Sequence, residues 1–164
     1  GARTLETMNF PDNRFDSLEL LDIVKAIENI KNRCHPDVVF VHHYADLNID
    51  HRITFQATMT ALRPLPEERG TSILCYETLS STEYQAPISS SVFQPTVYVE
   101  LSKTIVNKKC EAMKVYTTEL HSLPHPRSLA GIETVARWRG FSIGKKFAES
   151  FELIRTVQPL NGIS

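Results

Sequence analysis

The feature that most constrains the fold is a short strand pattern set between two helical patterns. The apolar run "VVFV", residues 38–41, is rich in β-branched residues and lies between a proline and a polar loop, as buried parallel strands do. Before it, apolar residues recur every three or four positions and predict a helix over 17–34. After it, a second helix is predicted from Asp50 to Arg63, where two prolines follow closely. Helix, strand and helix in this order indicate an α/β fold.

The rest of the chain continues this alternation. Strands are predicted at 4–10, 72–79, 96–102 and 150–155, and helices at 103–120 and 128–140. Alternating helices and strands predict an α/β sheet that is mostly parallel, with helices on its faces. In such sheets ligands bind outside the carboxyl ends of the strands. The segment that follows the first apolar strand is therefore the first place to look for a site.

Composition narrows the classes of function. A chain of 164 residues fits a single domain, residues 1–164, of which 156–164 are predicted to form a loose tail. Lys plus Arg number 18 and Asp plus Glu 19, so the charge gives no reason to expect nucleic acid as a partner. No run of 18 apolar residues occurs, so no membrane span is predicted, and three widely separated cysteines favour a reduced, cytoplasmic protein.

The stretch "HHYADLNIDHR", residues 42–52, holds three of the six histidines. Histidine and aspartate side chains are the types that zinc and similar ions bind. None of the pairs here has ligand spacing on one regular element, so solvated loop histidines and an N-capping Asp50 remain an equal alternative. His42, at the end of a buried strand, suits a structural role better than a ligand role.

Four ordered motifs resemble a known family. They are "FPDNRFDS" from Phe10, "PDVVFVHHYADLNIDHR" from Pro36, "KKCEAMKVYTTEL" from Lys108 and "ARWRGFSIGKKFAESFELIR" from Ala136. In order and spacing they look like the LmbE/PIG-L metal-dependent N-deacetylases. The resemblance implies a Rossmann-like three-layer domain, a zinc cofactor, and hydrolytic removal of acetyl groups from N-acetylated amino sugars such as N-acetylglucosamine conjugates.

The resemblance also implies roles for individual residues. His51 matches a histidine that binds the metal, and Asp50 matches an acidic residue that orients a neighbouring catalytic side chain. Asn48 falls where many members carry a histidine that stabilises the oxyanion, and an amide can donate a hydrogen bond there. Asp12 and Arg14, in the "PDNR" turn, are the candidates for sugar contacts, with a simple turn and salt bridge as the equal alternative.

One departure from the family is important. The family's "HPDD" motif, which follows its first strand and supplies two metal ligands and the general base, has no counterpart in these 164 residues. "HPDV", residues 35–38, has similar letters but precedes a strand. The resemblance therefore implies a sheet that is incomplete at its N-terminal side, a chain truncated there and inactive by itself, and a possible homodimer that covers the gap. The alternative is a catalytically silent domain that keeps a sugar-binding or self-association surface.

Overall fold

The computed structural model describes residues 3–66, 68, 70–88 and 92–157. Within these residues four helices and four strands follow one another along the chain. Their bounds are α1 Leu20–Cys34, β1 Val38–His42, α2 Ile49–Ala61, β2 Ser72–Tyr76, β3 Val97–Glu100, α3 Lys103–Val115, α4 Leu129–Phe141 and β4 Ala148–Arg155. The predicted loose tail lies outside the described residues from position 158 onward.

Helices α1 and α2 form the first part of the core. Ile23 and Val24 of α1 are buried against Ala57 and Ala61 of α2, as the three-to-four residue spacing predicts. Helix α1 ends at His35, which adopts a left-handed conformation with φ of 43° just before a proline. The predicted helix over 17–34 is confirmed from Leu20 onward, whereas Ser17 ends a short 3-10 segment that begins at Phe15, and Leu18 and Glu19 are extended.

The prediction of a mostly parallel sheet is wrong. The strand order is β1-β2-β4-β3, and β1 and β2 are parallel, whereas β4 is antiparallel to both of its neighbours. The reason is that two helices, α3 and α4, lie in succession between β3 and β4. One helix brings the chain back to the end of the sheet where the first strand began, so the next strand runs parallel to the first. A second helix carries the chain to the other end of the sheet again, so the next strand runs antiparallel. The observed architecture is mixed α/β.

Two other predicted elements differ from the structure. The strand predicted at 4–10 forms no regular element, and residues 3–9 are exposed. An alternating pattern needs a neighbouring strand for its backbone hydrogen bonds, and this segment has none among the described residues. Helix α3 ends at Val115 rather than at 120, because Tyr116 leaves the helical conformation just before two threonines, which are weak helix formers.

The parallel pair β1 and β2 places two loops side by side. His42 at the end of β1 is in register with Tyr76 at the end of β2, so the segments that follow them start at the same edge of the sheet. The segment after β1 leads into the N-terminus of α2, which begins at Ile49. In the part of the chain that the structure describes, no helix is long and apolar enough to cross a membrane.

Candidate functional site

His51 is held by a buried carboxylate. It lies in the first turn of α2, and its Nδ1 is 2.9 Å from Oδ1 of Asp46, which is fully buried. Ser81 and Thr82 donate their hydroxyl groups to the same carboxylate, the Thr82 bond being 2.7 Å long. The backbone N–H of Asn48 completes the set at 2.9 Å. Four hydrogen bonds therefore fix the carboxylate that faces His51.

These bonds decide the charge of Asp46. Burial acts to raise the pKa of its carboxyl, but the hydrogen bonds from His51, Ser81 and Thr82 outweigh burial and hold that pKa well below its ordinary value. An ionised carboxylate is only an acceptor, so the Nδ1 of His51 must be the donor. In the neutral form of the ring, a proton on Nδ1 leaves Nε2 unprotonated, and this is the form that binds a metal ion.

His42 packs face to face on His51. The two ring centroids are 3.8 Å apart and the planes differ by 12°. Burial, and then the proximity of the His51 ring, lowers the pKa of His42 from 6.5 to about 4, so His42 is neutral at pH 7. Its Nδ1 is buried without a hydrogen-bond partner among the described residues. His42 therefore serves as an uncharged flat support for the ring of His51.

Asn48 and Asp50 make local contacts at the start of α2. Asn48 is the N-cap: its Oδ1 accepts the backbone N–H of Asp50 at 2.8 Å, and its Nδ2 donates to Oδ1 of Asn13 at 3.2 Å. The carboxylate of Asp50 accepts the backbone N–H groups of Asn13 at 2.6 Å and Phe15 at 2.9 Å. Asp50 thus fastens the "PDNR" turn to α2, whereas Asp46 is the residue whose carboxylate contacts His51.

These side chains border one cavity. Its volume is about 430 Å³, and its polar end is lined by Asp12, His42, Asn48, Asp50 and His51. The remaining wall consists of apolar side chains from α1 and from the segment 8–15, together with Thr54 of α2. Arg14 is exposed and, among the described residues, is not part of this wall. The structure therefore brings four of the five predicted site residues together and leaves Arg14 at the outside of the turn.

Among the described side chains, His51 is one candidate metal ligand, but a complete metal site is not formed. Within the described ranges no group of three or more His, Cys, Asp and Glu side chains could hold a metal ion, and catalytic zinc sites use three protein ligands. The "HPDV" histidine, His35, is the exposed cap at the end of α1 and precedes β1. The prediction that this motif only resembles the family's metal-binding one is consistent with that position.

Three residues of the site were not found from the sequence. Asp46 lies within the histidine-rich stretch without a role implied for it, and Ser81 and Thr82 lie 35 and 36 residues further on, in a polar loop. These residues could have been predicted from the rule that the carboxyl ends of adjacent parallel strands lie at the same edge of the sheet. Applied to β1 and β2, that rule would have placed the loop after β2 beside His51.

Comparisons with known proteins indicate the family of the chain. Residues 1–62 match the family model of PIG-L, described as GlcNAc-PI de-N-acetylase. The chain is 34% identical over 119 residues to the uncharacterized deacetylase YaiS of Escherichia coli (strain K12), in an alignment that covers 70% of this chain and 57% of that protein. The chain thus spans little more than half the length of this relative.

Solved structures share the fold. The conserved protein TT1542 from Thermus thermophilus superposes with a TM-score of 0.67 at 19% identity, over 94% of this chain and 67% of that one. N,N'-diacetylchitobiose deacetylase from Pyrococcus horikoshii does so with a TM-score of 0.65 at 18% identity, over 93% of this chain and 59% of that one. These structures show the fold, and the match of residues 1–62 to the family model indicates the class, the de-N-acetylases. Within that class, this chain is a homologue of the LmbE/PIG-L deacetylases, and the resemblance drawn from its sequence motifs is confirmed.

Proposed function

We propose that this chain carries the His51 side of a zinc-dependent hydrolase centre that removes acetyl groups from N-acetylated amino sugars. The observation that supports this most directly is the pair of His51 and buried Asp46 at the polar end of the cavity. A metal-binding histidine almost always donates its other ring N–H to a carboxylate or carbonyl, as His51 does here. The site lies at the carboxyl edge of β1 and β2, where ligands bind in α/β folds.

Zinc binding is proposed only for the complete site, in which other ligands join His51. When bound, zinc acts as a Lewis acid toward a carbonyl oxygen and lowers the pKa of water to about 7. His51 would be one ligand, and the others would come from residues beyond those that line this cavity. Three ligands are not present together among the described side chains, so zinc would be held only in the complete centre.

The other residues take supporting roles in the proposal. Asp50 holds the turn at residues 12–14 against α2, and the Asn48 amide lies at the polar end of the cavity as a hydrogen-bond donor toward the acetamide oxygen. Asp12 lines the same cavity, where a carboxylate suits sugar hydroxyl groups, and Arg14 would contact a sugar only from the rim. We propose a Rossmann-like layering for the fold, since α1 packs with α2 and α3 with α4.

The second candidate is a catalytically silent domain with a self-association surface. Two observations favour it: the cavity offers a single oriented histidine, and β1 is an edge strand. Val38 and Phe40 on β1 are 44% and 53% exposed, and within the described residues β1 pairs with β2 alone. An apolar unpaired edge is a surface that proteins cover. We propose that two copies associate through β1, which would give a dimer in sedimentation; a monomer at all concentrations would contradict this.

One experiment separates the two candidates. Bound zinc is measured by elemental analysis after dialysis, and acetate release is measured with N-acetylglucosamine conjugates, for the chain and for His51→Ala and His35→Ala. Zinc and turnover that His51→Ala abolishes and His35→Ala keeps would support the hydrolase centre. Turnover that survives His51→Ala would contradict it. Neither zinc nor turnover in the unaltered chain would leave the silent domain, and turnover by the chain alone is the less expected result.

A further inference from the structure

Residues 78–84, the positioning loop, follow β2 and contact the carboxylate of Asp46 through the hydroxyl groups of Ser81 and Thr82. The loop is strongly ordered by its own side chains. Glu83 accepts the backbone N–H of Ser80 at 2.5 Å and of Ser81 at 3.2 Å, and the Thr82 hydroxyl accepts the backbone N–H of Thr78 at 2.7 Å. These bonds within the loop define the direction of the hydroxyl groups at 81 and 82.

An arginine from another segment fixes the outer side of the positioning loop. Nε of Arg127 donates to the backbone carbonyl of Leu79 at 3.1 Å and also to the hydroxyl of Ser80. Ser80 has φ of 60°, a left-handed conformation that is uncommon for a residue with a side chain. Such a conformation persists where surrounding contacts hold it, and it occurs often at functional sites. Arg127 and Glu83 supply those contacts.

The inner side of the positioning loop contacts Asp46, and its residues are not among those that line the cavity. The hydroxyl groups of Ser81 and Thr82 both donate to the Asp46 carboxylate, and all three residues are buried. Asp46 in turn accepts from Nδ1 of His51. A continuous series of hydrogen bonds therefore connects the loop to the ring, and its last member decides which nitrogen of His51 carries the proton.

We propose that the positioning loop sets the orientation and tautomer of His51 through Asp46, so that Nε2 faces the cavity. Asp46, Ser81 and Thr82 are positioning residues, since none of them borders the cavity. This rests on the proposed function for its purpose, because an oriented Nε2 is useful where a metal ion is bound. The geometry itself is a property of the chain without metal or substrate, and it is tested in that state.

The test is nitrogen NMR of the histidine side chains in the ¹⁵N-labelled, metal-free chain at pH 7.5 with a chelator. His51 is assigned by its loss in His51→Ala. The unaltered chain should show His51 protonated at Nδ1 and unprotonated at Nε2. In Asp46→Asn the ratio of the Nδ1–H to the Nε2–H form should fall roughly tenfold or more, as expected when a hydrogen bond to a charged acceptor is lost.

A double variant tests the loop separately. In Ser81→Ala/Thr82→Val the Nδ1–H signal of His51 should remain but exchange with water roughly tenfold faster, because two of the groups that immobilise Asp46 are gone. Ser142→Ala is the matched control: it removes a hydroxyl that bonds to the backbone carbonyl of Trp138, which neither lines the cavity nor bonds to Asp46 among the described residues, and should change nothing at His51.

Two outcomes would overturn the proposal even if Asp46→Asn fails to fold. A His51 ring protonated at Nε2 in the unaltered chain overturns the proposal, and so does a folded double variant with unchanged exchange. Neither measurement uses zinc or substrate. A chain with the expected His51 spectrum whose acetate release survives His51→Ala would contradict the proposed function and leave the positioning role intact, and the reverse pattern would do the opposite.

Discussion

The half-buried ring of His42 should make the folded chain sensitive to mild acid. The pKa of His42 is about 4 in the folded chain and 6.5 ordinarily. Between these two pH values the unfolded chain binds more protons than the folded one, so the free energy of unfolding must fall as the pH falls through this window. Above pH 6.5 the stability is fully present. Below pH 4 the loss from His42 is complete.

The structure also gives the size of the effect. A difference of about 2.5 pH units corresponds to roughly 3 kcal/mol, at about 1.4 kcal/mol for each unit. Solvent reaches part of the ring and screens it, so a loss of about 1–2 kcal/mol is the expected value. Asp46 adds to acid sensitivity only at lower pH, because its pKa is depressed and its stabilising effect is lost below the ordinary range of carboxyl groups.

The assay compares urea unfolding at pH 7.5 and pH 4.5 in the presence of a chelator, followed by circular dichroism. His42→Phe keeps an aromatic ring against His51 but cannot be protonated, so it should lose about 1–2 kcal/mol less than the unaltered chain between these two pH values. His35→Asn is the control, since that exposed position tolerates a left-handed residue, and it should behave as the unaltered chain does. An equal loss in His42→Phe would refute the assignment of this acid sensitivity to His42.

Two further predictions concern the start of α2. Asp50→Ala leaves two backbone N–H groups of the turn at 13–15 without their acceptor and should cost about 2–4 kcal/mol in urea unfolding, whereas a change below about 0.5 kcal/mol would show that Asp50 does not fasten the turn. Asn48→Ala removes the N-cap and should cost about 1 kcal/mol in the same measurement, while Asn48→Ser, a good capping residue, should cost only a few tenths; equal costs would contradict the capping role.

Local patterns predicted the elements of the fold well. The spacing of apolar residues located α1, and the β-branched run located β1 at Val38–His42. The direction of the sheet could not be obtained in this way, because periodicity shows that a segment is a strand but not which neighbour it pairs with. That choice depended on α3 and α4 lying in succession before β4. The lone strand pattern at 4–10 failed for a related reason, since it has no partner strand among the described residues.

In the site, too, local motifs predicted some residues, whereas others depend on tertiary contacts. The roles of His51 and Asn48 are implied by the family resemblance of one short motif that spans a strand, a loop and a helix. Asp46 was visible in that motif, but its contact with His51 depends on how the loop after β1 folds back before α2 begins. Ser81 and Thr82 reach it from a different loop, and only the packing of β1 beside β2 brings them there. The roles that depend on tertiary contacts were therefore the ones that sequence motifs missed.

The most direct test of the central claim is a zinc titration of the ¹⁵N-labelled chain, observed at the histidine side chains. If His51 is the metal-binding histidine of a de-N-acetylase centre, its Nε2 resonance should shift first, weakly because one ligand is present, and the shift should vanish in His51→Ala and persist in His35→Ala. A first shift at the neighbouring rings of His121 and His125, whose planes are tilted by 38°, or one that survives His51→Ala, would contradict the account.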